Sequence, residues 1–156
     1  MIRIEKSVEI RAPPEKVWEM LAFDRLREWD EGYAKNLKSI EYAFEVRAPE
    51  DKLRVGACAH MTMKGETKVD AEIIESLENQ KITYRFRALT RSFTTSLMER
   101  CIFRYILEPV EEGTRLAYVI DYEAPWWMGI LDKLTHRSSE KELERSLGKL
   151  KSILEK

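Results

Sequence analysis

The sequence has no run approaching the roughly 18 consecutive apolar residues of a membrane-spanning helix, which argues against stable membrane insertion. Its first residues, Met1-Ile2-Arg3-Ile4-Glu5-Lys6, alternate apolar with charged and match neither a signal nor a transit peptide. The expected location is therefore the cytoplasm. Cysteine is scarce: Cys58 and Cys101 stand far apart, with no Cys-x-x-Cys and no paired histidine nearby. They read as small buried hydrophobes rather than as a redox pair. With two histidines and no ligand-spaced cluster, no metal site is expected. Nothing in the sequence requires a nucleotide or flavin either, so the expected cofactor list is empty. Charge of one sign is also lacking, since 27 Lys and Arg face 28 Asp and Glu. No overall field draws the protein to nucleic acid or anionic lipid. The charged fraction of 35% is nonetheless high, which suits a surface laced with ion pairs, as in proteins from hot environments.

What the sequence does have is period. Ile2, Ile4, Val8 and Ile10 alternate with Arg3, Glu5, Ser7, Glu9 and Arg11, the signature of a strand with one buried face. Ala12-Pro13-Pro14 breaks it, and Pro14-Glu15 opens a helix carrying Val17, Trp18, Met20 and Leu21. A second short helix follows Phe23-Asp24-Arg25-Leu26 and ends near Trp29-Asp30-Glu31-Gly32, with Gly32 as its C-cap. Six further strands are expected: Ile40 to Val46, Val55 to Met63, Val69 to Ile73, Ile82 to Phe86, Leu97 to Leu107 and Leu116 to Tyr122. A polar loop, Thr90 to Thr95, precedes the fifth of these, and Glu108 to Gly113 forms a hairpin loop before the last. No internal repeat or low-complexity linker appears, so residues 1–156 read as a single domain.

From Pro125 the pattern is one long helix. Trp127, Ile130, Leu131 and Leu134 form its first apolar stripe, and Leu143, Leu147, Leu150 and Leu154 its second. Between them, Thr135-His136-Arg137-Ser138-Ser139-Glu140-Lys141-Glu142 offers no large apolar side chain. A helix packed at both ends but not in its middle leaves space beneath that middle.

The stretch Ser7-Val8-Glu9-Ile10-Arg11-Ala12-Pro13-Pro14-Glu15-Lys16-Val17-Trp18, with Leu26-Arg27-Glu28-Trp29, resembles the START/Bet v 1-like (SRPBCC) superfamily, in its polyketide cyclase/dehydratase and lipid-transport branch. Tyr105-Ile106-Leu107-Glu108-Pro109-Val110 with Gly113-Thr114-Arg115-Leu116 resembles its last hairpin, and Leu147 to Glu155 its final helix. The resemblance covers essentially the whole chain. It implies an α+β helix-grip fold: a curved antiparallel sheet of about seven strands around a long helix, with an apolar cavity between them. These motifs are structural, so no catalytic residue is carried over, and fold alone does not choose among the superfamily's activities.

Within that fold the inward rows would line the cavity with Ile40, Tyr42, Phe44, Ala57, Ala59, Met61, Met63, Tyr84, Phe86, Phe103, Tyr105 and Tyr118, joined by Trp29, His136 and Ser139. Apolar walls with a few hydroxyls suit a small-molecule pocket, although the same residues could fill a solid core. Glu99, if it faces inward, is a desolvated carboxylate able to move a proton; otherwise it sits at the strand end or pairs with an Arg. His136 is either an acid/base group over the cavity or a solvated helix residue. His60 shares the parity of Thr62 and Lys64 and faces outward. Arg85, Arg87, Arg100 and Arg104 share an outer face, but a two-residue turn at Glu78-Asn79 with no bulge would set Asp70 opposite Arg87 and Glu72 opposite Arg85 and neutralise half of that patch, so nucleic acid is not an expected partner. Trp126-Trp127-Met128 would pack on the short helices or touch a membrane during ligand transfer.

Three functions are compatible with this reading. The first is binding or transport of a hydrophobic small molecule, a lipid, polyketide or quinone. The second is a polyketide cyclase/dehydratase-like reaction, which needs Glu99 and His136 to converge inside the cavity. The third is a cochaperone-like module that meets a protein partner through the outer sheet face.

Overall fold

The computed structural model describes residues 2–123 and 129–156, and the side chains of the last stretch from residue 136 onward. Strand β1 (Ile2–Ile10) buries Ile4 and Ile10 and leaves Arg3, Glu5 and Glu9 in solvent, as its period of two requires. Helix α1 (Pro14–Glu19) starts with proline in its first turn, where the missing N–H costs nothing, and buries Val17 and Trp18. Helix α2 (Phe23–Leu26) buries both of its end residues.

A third short helix, α3 (Glu31–Asn36), corrects the expectation of two. Asp30 is its N-cap and accepts a hydrogen bond from the Gly32 N–H at 3.0 Å. Gly32 thus lies inside the first turn of a new helix rather than closing the previous one.

The remaining strands are β2 (Leu37–Tyr42), β3 (Cys58–Met63), β4 (Thr67–Leu77), β5 (Lys81–Ala88), β6 (Cys101–Val110) and β7 (Gly113–Tyr122). β2 ends at Tyr42, so Phe44 and Val46 lie beyond it, and a 3-10 turn at Pro49–Leu53 fills part of the connection to β3. The expected strand beginning at Leu97 starts in a helix: its first three residues end α4 (Phe93–Glu99), and β6 begins only at Cys101. Ser92 and Thr95 cap it reciprocally, the Thr95 N–H donating to Ser92 Oγ at 3.2 Å and the Ser92 N–H to Thr95 Oγ1 at 2.9 Å.

The seven strands form one antiparallel sheet in the order β1-β7-β6-β5-β4-β3-β2. Asp70 does stand opposite Arg87, and Glu72 opposite Arg85. The route to that register is not a two-residue turn. Leu77 pairs with Lys81 around a three-residue loop, and a bulge between Ile73 and Glu75 takes up the extra residue. Asn79 supplies the loop's left-handed conformation, with φ 61°.

Helix α5 (Gly129–Leu154) packs chiefly against β1 and α3. Leu143, Leu147 and Leu150 are buried, each contributing roughly 1.5–3 kcal/mol relative to exposure. Its outer edge is tied to β1 by Lys6, 2.9 Å from Glu144, and by Lys151, which donates to the Glu9 carbonyl at 2.8 Å. The side chains of Trp127, Ile130, Leu131 and Leu134, and all of Trp126-Trp127-Met128, fall outside the described residues. Among the described residues no helix is long and apolar enough to cross a membrane.

Candidate functional site

A cavity of about 670 Å³ opens between the concave face of the sheet, α3, α4 and the middle of α5. Its apolar wall is Met63, Phe86, Met98, Phe103, Ile120 and Leu143. Its polar groups include Asp30, Tyr33, Tyr118, Ser139 and Glu142, with Lys64 in the exposed β3–β4 turn. Ser139 and Glu142 come from the part of α5 that carries no large apolar residue, so the gap in the helix stripe does lie over empty space.

Five of the residues expected to line a pocket do so: Met63, Phe86, Phe103, Tyr118 and Ser139. Tyr84 and Tyr105 face inward but are fully buried beneath other rings. Phe23 meets Tyr84 edge-on at 5.3 Å, Phe103 stacks on Tyr84 at 4.9 Å, and Trp29 meets Tyr105 at 5.8 Å. Trp29 is itself core, with its indole N–H donating to the Met20 carbonyl at 2.8 Å. Ala59 and Met61 are buried on the sheet without reaching the cavity, and Ala57 is buried just before β3. Tyr42 instead anchors α2, donating to Asp24 Oδ1 at 2.8 Å, and Phe44 packs edge-on against it at 5.5 Å.

The cavity floor joins a chain of buried hydroxyls. Tyr33 donates to Tyr84 at 3.2 Å, and the Tyr84 and Tyr105 hydroxyls lie 3.2 Å apart. At the other end, Tyr118 donates to Asp30 Oδ2 at 2.9 Å. Burial pushes all four phenols well above their ordinary pKa, so each remains an O–H donor. Burial likewise raises the Asp30 carboxyl to about 6, against the hydrogen bonds from Tyr118, Tyr33 N–H and Gly32 N–H that favour its anion. Asp30 is not among the residues the sequence points to, because Trp29-Asp30-Glu31-Gly32 resembles a helix end. An Asp followed directly by Glu is equally a helix-start signal.

The two acid/base candidates do not converge. Glu99 ends α4, where its Oε1 accepts from the Ala88 N–H at 2.6 Å and its Oε2 from Arg91 at 2.9 Å. The Ala88 N–H, helped by Arg91, holds this carboxyl below its usual range, opposite to the shift a cavity acid needs. The strand alternation that pointed it inward does not apply, because Glu99 is helical. His136 turns toward β1, its Nε2 2.6 Å from Glu140, which is itself 3.5 Å from Lys6. Neither residue lines the cavity.

On the outer face, His60 Nδ1 lies 2.6 Å from Asp70 and Arg87 3.1 Å from the same carboxylate, while Asp121 is held between Arg3 and Arg104. The arginine contacts are cross-strand ion pairs, and they neutralise part of the arginine row. Among the described residues no cluster of His, Cys, Asp and Glu could hold a metal ion.

A twisted antiparallel sheet gripping a long helix around a cavity defines a helix-grip protein. The chain belongs to the family described as polyketide cyclase/dehydrase and lipid transport, whose profile it matches over residues 1–155. No curated protein matches the sequence. Among solved structures, protein MLL2253 from Mesorhizobium loti is similar with a TM-score of 0.68 and 17% identity, over 99% of this chain and 97% of that one. The Aha1 protein of Colwellia psychrerythraea, solved as a dimer, gives 0.64 and 17% identity over 99% and 96%. DynU16, from the dynemicin biosynthetic locus, gives 0.63 and 17% over 98% of this chain and 47% of its own. At these identities the likeness concerns the fold.

Proposed function

We propose that this protein binds a hydrophobic small molecule in the cavity beneath α5, to carry or sequester it. The observation behind this is a space of about 670 Å³, within the usual range for ligand pockets, walled by Met, Phe, Ile and Leu side chains. Met63 and Met98 give that wall two flexible side chains that adapt to an irregular guest. The family description, which joins polyketides with lipid transport, supports an apolar guest of either kind. Apolar area supplies the affinity, and the Tyr118 hydroxyl, Asp30 and Ser139 orient the guest. The separation of Glu99 from His136 favours binding over turnover by that pair.

Filling the space tests this directly. Ser139 lies on the helix over the cavity and is half-buried, so Ser139→Trp should place an indole in the space while leaving the buried Leu143, Leu147 and Leu150 in place. Uptake of Nile red, read as blue-shifted fluorescence, should fall roughly tenfold or more, with the fold intact by circular dichroism. Unchanged uptake by a folded variant would show that the dye, and the function, lie elsewhere.

A further inference from the structure

The cavity wall carries two carboxylates, Asp30 and Glu142, whose charge no ion pair among the described residues cancels. Among the described residues Asp30 is reached by neutral donors, the Gly32 N–H and the Tyr118 hydroxyl among them. Glu142 approaches from α5 over the bare face of Gly32. A Cβ at Gly32 would stand 2.8 Å from Glu142 Oε1 and 3.4 Å from Asp30 Oδ1, so the two acids bracket one small volume. The lack of a side chain at Gly32 is what lets them come together.

The nearby cations are committed elsewhere or sit apart. Arg145, one turn beyond Glu142, forks onto Glu31 at 2.7 and 3.1 Å, and Lys35 takes the same carboxylate at 2.7 Å. Lys64 is on the exposed turn at the rim. Among the described residues no Lys or Arg lies within ion-pair distance of Asp30 or Glu142. The rings of Tyr33, Phe86, Phe103 and Tyr118 line the same cavity, and aromatic faces also favour a cation.

We infer that the cavity selects an amphiphile with a protonated nitrogen, its ammonium seated between Asp30 and Glu142 and its apolar body against Met63, Met98, Phe103 and Leu143. This rests on the cavity being a binding site and adds the chemical class of its guest. An ammonium there gains two carboxylate partners in a partly desolvated setting, where charge-assisted hydrogen bonds are strongest. A carboxylate head group would meet two like charges instead, and an alcohol would lie between the two.

Decylamine, decanol and decanoate share one chain and differ in the head group, so their displacement of bound Nile red at pH 7.5 separates the two levels of the account. The expected order is decylamine first, by roughly tenfold over decanol, and decanoate last. Glu142→Gln, which keeps the side chain's size, and Asp30→Asn, which keeps a helix-capping side chain, should each bring the amine-to-alcohol ratio down toward one. Equal displacement by all three, or decanoate strongest, would overturn the ammonium assignment while leaving the apolar cavity standing. Displacement by none of them would overturn both.

Discussion

The Tyr118 hydroxyl donates to Asp30 Oδ2 at 2.9 Å, joining the last strand to the cap of α3 across 88 positions of sequence. This bond fixes the floor of the cavity. Removing the hydroxyl with Tyr118→Phe leaves a buried carboxylate short of one donor, a loss of about 1–3 kcal/mol. Urea denaturation at pH 7.5 should show that loss. At pH 5 it should be smaller, because the carboxyl is then largely protonated and needs the donor less.

Asp30 sets a pH dependence of its own. Its folded pKa of about 6 lies above the ordinary 3.8, so the folded state holds a proton that the unfolded state releases. That contribution to stability is complete below the unfolded value and is lost as pH rises through about 6. Asp24, Asp70 and Asp121 have lowered pKa values and act in the opposite sense, losing stability as pH falls. The difference between wild type and Asp30→Asn cancels those shared terms. Relative to the variant, the wild type should lose up to roughly 3 kcal/mol between pH 4 and pH 7.5, at about 1.4 kcal/mol per pKa unit. A flat difference across that range would contradict a buried, proton-binding Asp30. The groups facing Asp30 are Glu142 on α5, Tyr118 on β7 and Tyr33 on α3, with Tyr118 and Tyr33 neutral throughout.

Trp29 belongs to the core and not to the cavity wall. Its indole fills space against Tyr105 and Tyr118 and its N–H satisfies the Met20 carbonyl. Trp29→Phe should lower stability by about 1–3 kcal/mol through that lost bond and the smaller ring. Nile red affinity, measured where the variant is folded, should change by less than about threefold, since Trp29 does not reach the cavity.

Glu99 holds α4 in place rather than handling protons. Glu99→Ala frees the Ala88 N–H and Arg91 together. Hydrogen exchange at residues 88–99 should quicken while the rest of the sheet stays protected. Met98 and Thr94 line the cavity from α4, so guest release should quicken too, as read by stopped-flow loss of Nile red fluorescence. Slower exchange in α4 would contradict the anchoring role.

The strand faces were legible because one buried face imposes a period of two, and Met63, Phe86, Phe103 and Tyr118 followed from it. Depth was not legible. Alternation places Tyr84 and Tyr105 on the inner face, but only the docking of Phe23 and Trp29 decides that they are covered. The cavity's position was visible in residues 135–142 as a missing stripe. Its acidic end was not, because Glu142 and Asp30 meet through packing of α5 on α3, and short helices leave weak periodic signals. Glu99 went astray for the same reason, since Ser92 and Thr95 cap α4 in a stretch that reads as polar loop. The Asp70–Arg87 pairing came out through two irregularities that cancel, a three-residue loop and a bulge.

A small apolar guest held in the cavity should survive gentle purification. Native mass spectrometry of gently purified protein, beside its mass after denaturation in organic solvent, tests this most directly. The expected result is a discrete added mass that denaturation removes and that Ser139→Trp no longer carries. A bare mass, with no uptake from fatty acids, amines, quinones or polyphenols, would contradict it.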